Sequence, residues 1–136
     1  MKKALILIMI FVAITNSLSA YSDDDVYRDF EKIINETISI LDHVIVETRN
    51  NPDPEKVIAL LMNIETLEMQ RIHPLIDDFN SKYTDYNLDF ETQNFDDIFI
   101  QFTGSRYMAL QQRMIEKMTE FENVLTPIMI SIYGGR

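Results

Sequence analysis

From residue 53 to residue 80, apolar residues recur mainly at the three- and four-residue spacing of an amphipathic helix. Asp53 is a candidate N-cap, and Pro54 suits the first helical position. Pro74 predicts a kink or stop near His73, followed by one distorted turn over residues 75–79. We expect this helix to be the centre of the fold, with an inner stripe of Val57, Leu60, Leu61, Ile64, Leu67, Ile72, Leu75 and Phe79.

Two further helical rods are predicted, one on each side of this helix in the chain. Residues 21–51 form the first, with Ser22 as N-cap and acidic residues in the first turn. Helix returns near Thr92, and Pro127 is expected to end the last regular helix. Gly104 and a change of phase in the apolar stripe predict a break between them. The expected fold is all-α, an antiparallel helical bundle of three rods, the third kinked or broken near Gly104, which gives four helices.

Residues 1–20 have the pattern of a secretory signal peptide. Lys2 and Lys3 precede an unbroken apolar run over residues 4–14, and small residues end the segment. The run is shorter than the roughly 20 apolar residues of a transmembrane helix. Cleavage is expected after Ala20, or alternatively after Ser19. Residues 21–136 would then be a single helical-bundle domain, secreted or periplasmic, with no membrane span.

The composition of the chain limits its chemistry and its partners. It contains no cysteine, which excludes disulfides, thiol catalysis and thiolate metal sites. Without Lys2 and Lys3, 10 basic residues remain against 22 acidic ones, a net charge of −12. Such a surface repels nucleic acid and attracts cations or basic proteins. A large net charge also keeps a protein soluble, so the charge has a second interpretation without any partner.

Acidic residues concentrate between Asp77 and Asp97, where seven carboxylates accompany a single lysine. This segment joins the second rod to the third, so it is predicted to be an exposed loop with a short helix. We expect a basic protein partner to dock here, on acidic side chains with aromatic neighbours. The predicted partner-binding residues are Asp77, Asp78, Tyr83, Asp85, Tyr86, Asp89, Glu91, Asp96 and Asp97.

An alternative for the same loop is a calcium site. Oxygen-bearing side chains alternate with other residues, as in the first half of a helix–loop–helix calcium loop. Phe90 stands where that loop needs glycine, and Asp96 stands where a bidentate glutamate closes the site. The remaining interpretation is a solvated loop that covers one end of the core. The candidate calcium ligands are Asp85, Asn87, Asp89 and Glu91.

Glu68 and Arg71 interrupt the apolar stripe of the second rod and are predicted to lie on its inner face. One interpretation is a polar pocket that binds a small ligand or performs acid–base chemistry. The other is a structural ion pair, satisfied internally or by polar groups on neighbouring helices such as Thr37, Gln111 or Glu122.

Aromatic and apolar residues are also in surplus around the loop and the tail. They form either a protein-binding or homodimer face with an acidic rim, or a cap on the bundle. The residues concerned are Tyr83, Tyr86, Phe95, Ile98, Phe99, Phe102 and the tail over residues 128–133.

No motif in the chain combines a nucleophile, a base and an orienting group. The three glycines leave no glycine-rich phosphate loop, and neither His43 nor His73 has a glutamate three residues before it, as di-iron bundles require. We therefore expect no catalysis and no cofactor. The predicted function is that of a secreted or periplasmic binding protein with a basic protein partner, of inhibitor, immunity or adaptor type. The alternative is a calcium or small-ligand carrier.

Overall fold

The computed structural model describes residues 21–134, and the signal peptide predicted for residues 1–20 lies outside them. The described residues form helices and loops, with no strand among them. The predicted all-α bundle is confirmed. Its helices are α1 (Asp23–Asn50), α2 (Pro54–Leu67), α3 (His73–Lys82), α4 (Phe95–Phe99) and α5 (Ser105–Tyr133), and a π-helical segment (Glu68–Ile72) joins α2 to α3.

Helix α1 is the centre of the bundle. It begins at a capping box in which the Asp25 N–H donates to Ser22 Oγ at 3.2 Å and the Ser22 N–H donates to Asp25 Oδ2 at 3.1 Å. Helix α5 packs along α1, and α2, the π-helical segment and α3 contact it as well. Its buried side chains run along its whole length: Val26, Phe30, Ile33, Ile34, Thr37, Ile40, Val44, Ile45 and Thr48.

Helix α2 is buried much less than its apolar stripe predicts. Val57 is the single fully buried residue of α2, and most of the stripe is half-buried. Asp53 occupies the N-cap position, but its side chain makes no capping hydrogen bond. The prediction that the second rod is the centre of the fold is therefore wrong, because α1 buries one face over its full length and α2 does not.

The distortion associated with Pro74 lies before the proline and not after it. The π-helical segment ends at Ile72, and α3 then continues as a regular helix of ten residues with Pro74 in its first turn. Proline is tolerated there because the first N–H groups of a helix have no intrahelical acceptor. The distorted turn predicted over residues 75–79 is therefore wrong, and Ile76 and Phe79 are buried on a regular helix.

The third rod is broken at Gly104, as predicted. Its φ of 126° lies in a region that L side chains rarely adopt, which allows the sharp turn into α5. Helix α5 then runs without interruption through Pro127 to Tyr133. The prediction that Pro127 ends the helix is wrong. Proline removes one backbone donor, but the rest of the helical ladder continues, and the Thr126 hydroxyl donates to the Glu122 carbonyl at 2.6 Å.

The rods alternate in direction. Arg71 of the second rod contacts Glu36 of α1, and Lys82, further along the rod, contacts Asp29, which lies earlier in α1. The two are therefore antiparallel. Contacts between α1 and α5 run in the same order along both helices, so these two are parallel. The α1–α5 contacts are Asp24 with Arg106, Asn35 with Arg113, Asp42 with Lys117 and Arg49 with Glu120.

The main core lies at the end of the bundle that carries the acidic segment. Phe30 is stacked on Phe102 with ring centroids 4.2 Å apart and meets Phe99 edge-on at 5.2 Å. Tyr83 and Ile98 are also buried there, while Tyr86 and Phe95 pack at its margin. The aromatic surplus of the loop and short helix thus caps the bundle.

A second, smaller core lies at the opposite end. Val44, Val57 and Leu125 are its buried residues, and Phe121 and Ile128 pack against them. The tail over residues 128–133 therefore does not join the aromatic residues of the loop, because the continuous α5 carries it to the other end of the bundle.

Candidate functional site

The acidic segment, residues 77–97, includes a loop between α3 and α4 over residues 83–94, which we call the α3–α4 loop. Side-chain amides hold the backbone of this loop. Asn80 on α3 donates from Nδ2 to the Leu88 carbonyl at 2.8 Å and accepts the Leu88 N–H on Oδ1 at 2.9 Å. Leu88 is only 2% exposed, since its side chain belongs to the main core. The middle of the loop is therefore fixed both by burial and by a two-point hydrogen bond.

The residues on either side of Leu88 are held in the same way. Gln101 accepts the Asn87 N–H and donates to the Asn87 carbonyl, both at 2.8 Å. Gln93 accepts the Asp89 N–H at 3.0 Å. These contacts satisfy backbone groups that a strand partner would satisfy in a sheet. The loop is thus ordered without regular secondary structure.

A cleft of about 340 Å³ lies between α3 and this loop, and we call it the acidic cleft. Asp77 stands on its α3 side, and Asp89 and Glu91 stand on its loop side. None of the described residues that line it is a lysine or an arginine, and His73 is its one basic side chain. The lining residues are His73, Ile76, Asp77, Asn80, Asn87, Leu88, Asp89, Phe90 and Glu91.

Asp89 is held in its ionised form by the loop itself. The Thr92 hydroxyl donates to Asp89 Oδ2 at 2.6 Å, and the Glu91 N–H donates to Asp89 Oδ1 at 3.0 Å. These hydrogen bonds lower the pKa of the Asp89 carboxyl below its usual value, that from Thr92 contributing most. The side chain therefore contributes both to the shape of the loop and to the negative charge of the cleft.

The other predicted partner-binding residues are spread over the neighbouring surface. Asp85, Tyr83 and Tyr86 line an adjacent depression that also contains Lys82. Asp78 lines a small cavity with Asp29, Lys32 and Lys82. The structure thus brings three of the nine predicted residues, Asp77, Asp89 and Glu91, into one cleft and separates them from the rest.

Tyr83 belongs mainly to the core. It is 5% exposed, and its hydroxyl donates to Asp29 Oδ2 at 2.6 Å. Burial, followed by this hydrogen bond and the charge of Asp29, raises the pKa of Tyr83 far above its usual value. The folded bundle therefore covers most of the Tyr83 ring, and its contact with a partner stays a prediction.

Asp96 and Asp97 lie on α4, where both have structural contacts. Asp97 forms a capping box with Asn94, in which the Asp97 N–H donates to Asn94 Oδ1 at 2.8 Å and the Asn94 N–H donates to Asp97 Oδ2 at 3.3 Å. Asp96 accepts a hydrogen bond from Gln111 at 3.4 Å. Asp97 therefore starts α4, and Asp96 joins α4 to α5.

Of the candidate calcium ligands, Asn87, Asp89 and Glu91 line the acidic cleft, whereas Asp85 lines the adjacent depression. Within residues 21–134, no three histidine, aspartate or glutamate side chains are grouped so that they can hold a metal ion. The Asp89 carboxylate accepts hydrogen bonds from the loop, and Asn87 is fixed through its backbone. The described carboxylates alone thus form no metal site, and a calcium site that includes Asn87 stays a prediction.

Glu68 and Arg71 do not form an inner-face pair. Arg71 reaches across to α1, where its Nη2 lies 2.7 Å from Glu36 Oε2 and 3.2 Å from Ser39 Oγ. Glu68 is exposed on the surface. Desolvation raises the pKa of its carboxyl, and the charge of Glu65 adds to this effect, whereas the charge of His73 opposes it. A π-helical turn holds more residues than an α-helical turn, so α-helical spacing no longer assigns the residues after Glu68, such as Arg71, to the inner face.

Sequence reasoning missed the amides that shape the site. Asn80 and Gln101 bond loop residues that are 8 and 14 positions away in the chain, and no local pattern marks such contacts. It also missed an apolar groove between α2 and the C-terminal half of α5, because α5 was predicted to end at Pro127. The available signal was that the amphipathic pattern continues on both sides of Pro127, which indicates a helix that passes through the proline.

No protein-family model matches this chain, and no curated protein or solved structure matches it significantly. None of the helices in residues 21–134 combines the length and the apolar character that a membrane crossing requires.

Proposed function

We propose that this protein is an exported, non-catalytic binding protein that engages a basic protein partner through the acidic cleft. Export rests on the sequence of residues 1–20, which has the pattern of a signal peptide. The observation that carries the proposal is the convergence of Asp77, Asp89 and Glu91 on a cleft without lysine or arginine. A lysine or arginine side chain of the partner is the group that this cleft fits best.

The size and the wall of the cleft support this reading. A volume of about 340 Å³ accommodates one or two long side chains and lies at the lower end of the range of small-ligand pockets. Asp77 and Glu91 are exposed, so a partner can reach their carboxylates without displacing core residues. Phe90 and the buried Leu88 provide an apolar floor on which the methylene groups of lysine or arginine can pack.

The rigidity of the α3–α4 loop is a second argument for binding. The amides of Asn80 and Gln101 fix the backbone beside the acidic side chains before any partner arrives. A preorganised site loses less conformational entropy on association than a mobile loop does. Charge complementarity then adds to the association rate and the selectivity.

The proposal is tested with an unstructured peptide of alternating lysine and glycine, which has no apolar side chains. We expect calorimetry to show binding at about 20 mM NaCl that weakens by roughly tenfold or more at about 300 mM NaCl, because exposed charges are screened. Substitution of both Asp77→Asn and Glu91→Gln should weaken the binding at low salt by about fivefold or more, since two carboxylates leave the cleft.

The matched control is the pair Glu47→Gln and Glu116→Gln, which removes the same charge from two exposed positions outside the cleft. We expect this control to bind the peptide within about twofold of the parent protein. Equal weakening by both pairs would show that net charge alone attracts the peptide, and the cleft would lose its assigned role.

A further inference from the structure

An open apolar groove lies between α2 and the C-terminal half of α5, at the end of the bundle opposite the acidic cleft. Its volume is about 630 Å³. Leu61 forms its α2 side, and the other lining residues belong to α5 or, in the case of Gly134, follow it directly. These are Phe121, Glu122, Leu125, Thr126, Met129, Ile130, Tyr133 and Gly134.

The groove exists because α5 continues through Pro127. Residues 128–133 extend the apolar stripe of α5, and Ile128 still packs on the smaller core. Ile130 and Tyr133 remain 60% and 70% exposed, respectively. Apolar side chains that are adjacent, exposed and arranged along a groove are typical of a binding surface.

Carboxylates lie on and beside the wall of the groove. Glu122 is the one charged side chain among its described lining residues, and Glu65 is exposed one helical turn after Leu61. A groove walled by two helices, with apolar residues inside and carboxylates at its margin, has the form that receives an amphipathic helix. The complementary helix has an apolar stripe flanked by lysine or arginine.

We propose that this groove binds a partner protein through such a basic amphipathic helix. The proposal concerns a different surface from the acidic cleft and does not depend on it. A second copy of this chain fits the groove less well. Each mature copy carries a net charge of −12, and the carboxylates at the margin would face another acidic protein.

The test uses the protein from Tyr21 onward and a fluorescently labelled helical peptide of leucine and lysine, with leucine at helical spacing along one face. A second peptide keeps the leucines and replaces every lysine by glutamate. We expect fluorescence anisotropy to show binding of the lysine peptide at least about tenfold tighter than that of the glutamate peptide. The double substitution Ile130→Gln and Tyr133→Gln should weaken binding of the lysine peptide by about tenfold or more.

The matched control is Ile100→Gln with Met108→Gln, which removes two apolar side chains that are 81% and 70% exposed and lie outside the groove. This control should bind the lysine peptide within about twofold of the parent. A further variant, Glu122→Gln, leaves the apolar lining intact. It should weaken binding of the lysine peptide about threefold without weakening binding of the glutamate peptide.

Three results would overturn the proposal. The first is equal binding of the two peptides, and the second is equal loss in the groove variant and its control. The third is a dimer of the parent protein in analytical ultracentrifugation that Ile130→Gln with Tyr133→Gln converts to a monomer, because the occupant would then be a second copy. The variant Asp77→Asn with Glu91→Gln separates the two proposals, since it should leave binding of the helical peptide within about twofold.

Discussion

At the scale of single residues, Asp29 joins α1 to the end of α3. Its Oδ2 accepts a hydrogen bond from the Tyr83 hydroxyl at 2.6 Å and from Lys82 Nζ at 3.3 Å. Burial raises the pKa of the Asp29 carboxyl, but the hydrogen bonds from Tyr83 and Lys82 outweigh that effect, and the pKa is lowered from its ordinary value of 3.8. Ionised Asp29 therefore stabilises the folded state.

The substitution Tyr83→Phe should destabilise the protein by about 1–2 kcal/mol at pH 7, because it removes a hydrogen bond to a charged acceptor. Since the pKa of Asp29 is lower in the folded state, its stabilisation is complete above about pH 4 and is lost as the pH falls through the folded value. The deficit of Tyr83→Phe should therefore shrink at low pH.

Urea denaturation of the parent and of Tyr83→Phe at about pH 7 and about pH 2.5 measures both effects. Tyr133→Phe is the matched control, because Tyr133 is exposed and the same hydroxyl is removed. A Tyr83→Phe variant as stable as the parent at neutral pH, or one with the same deficit at both pH values, would contradict the role assigned to the Asp29 contact.

At the scale of elements, the α3–α4 loop shows how a segment without regular structure becomes part of the core. The Leu88 side chain is buried in the core, and the Asn80 amide bonds both the N–H and the carbonyl of Leu88. Gln101, which follows α4, does the same for Asn87. The loop therefore connects α3 to the region after α4 through side-chain amides, and its order depends on two residues that lie outside it.

The substitution Asn80→Asp retains the acceptor for the Leu88 N–H but removes the donor to the Leu88 carbonyl and adds a charge beside it. We expect a loss of about 1–2 kcal/mol in the free energy of unfolding, because a half-buried carbonyl loses its partner. Amide hydrogen exchange at Leu88 should become faster, since the loop opens more readily.

Thermal denaturation and amide exchange by NMR measure these two effects. Asn123→Asp, on an exposed position of α5, makes the same chemical change away from the loop and should leave both unchanged. If exchange at Leu88 is as slow in Asn80→Asp as in the parent, burial alone holds the loop, and the amide contributes nothing to its order.

Sequence alone predicts those elements whose signals are local. The Ser22 cap, the helical class and the break at Gly104 each depend on a few neighbouring residues, and all are found in the structure. The π-helical segment and the passage of α5 through Pro127 depend on packing between helices, which outweighs the local preference of proline.

The candidate site likewise has features that the sequence predicts and features that depend on the folded structure. The acidic segment is visible in the sequence, and it supplies Asp77, Asp89 and Glu91 to one cleft. The exposure of Glu68 and the burial of Tyr83 are set by the register of the second rod and by the contact with Asp29. Helical spacing therefore identified candidate residues but could not assign them to the surface or the interior.

At the scale of the whole molecule, a large negative charge is distributed over a bundle that is short of basic residues. The ion pairs between helices, such as Arg106 with Asp24 and Arg49 with Glu120, are mostly exposed. Exposed pairs contribute little to stability, whereas the net charge of −12 on residues 21–136 causes repulsion in every compact state. Repulsion should therefore exceed the stabilisation by these pairs.

We expect the melting temperature of the protein from Tyr21 onward to rise by a few degrees, roughly 2–6 °C, between about 10 mM and about 300 mM NaCl, because salt screens the repulsion. Circular dichroism at the helical band measures the transition. Potassium chloride should give the same rise, since the effect comes from ionic strength. A melting temperature that falls with salt would show that the ion pairs stabilise the fold more than the repulsion destabilises it.

The shallow burial of α2 has a consequence for the way this bundle moves. Val57 is its one fully buried residue, whereas α1 buries nine and joins both cores. We therefore expect the free energy needed to detach α2 locally to be smaller than that needed to separate α1 from α5, so that the helices open separately. Detachment would begin at the Asn51–Asp53 connection and progress toward the π-helical segment. Leu61 would be carried away from α5 by this opening, so the width of the groove follows the population of the detached state.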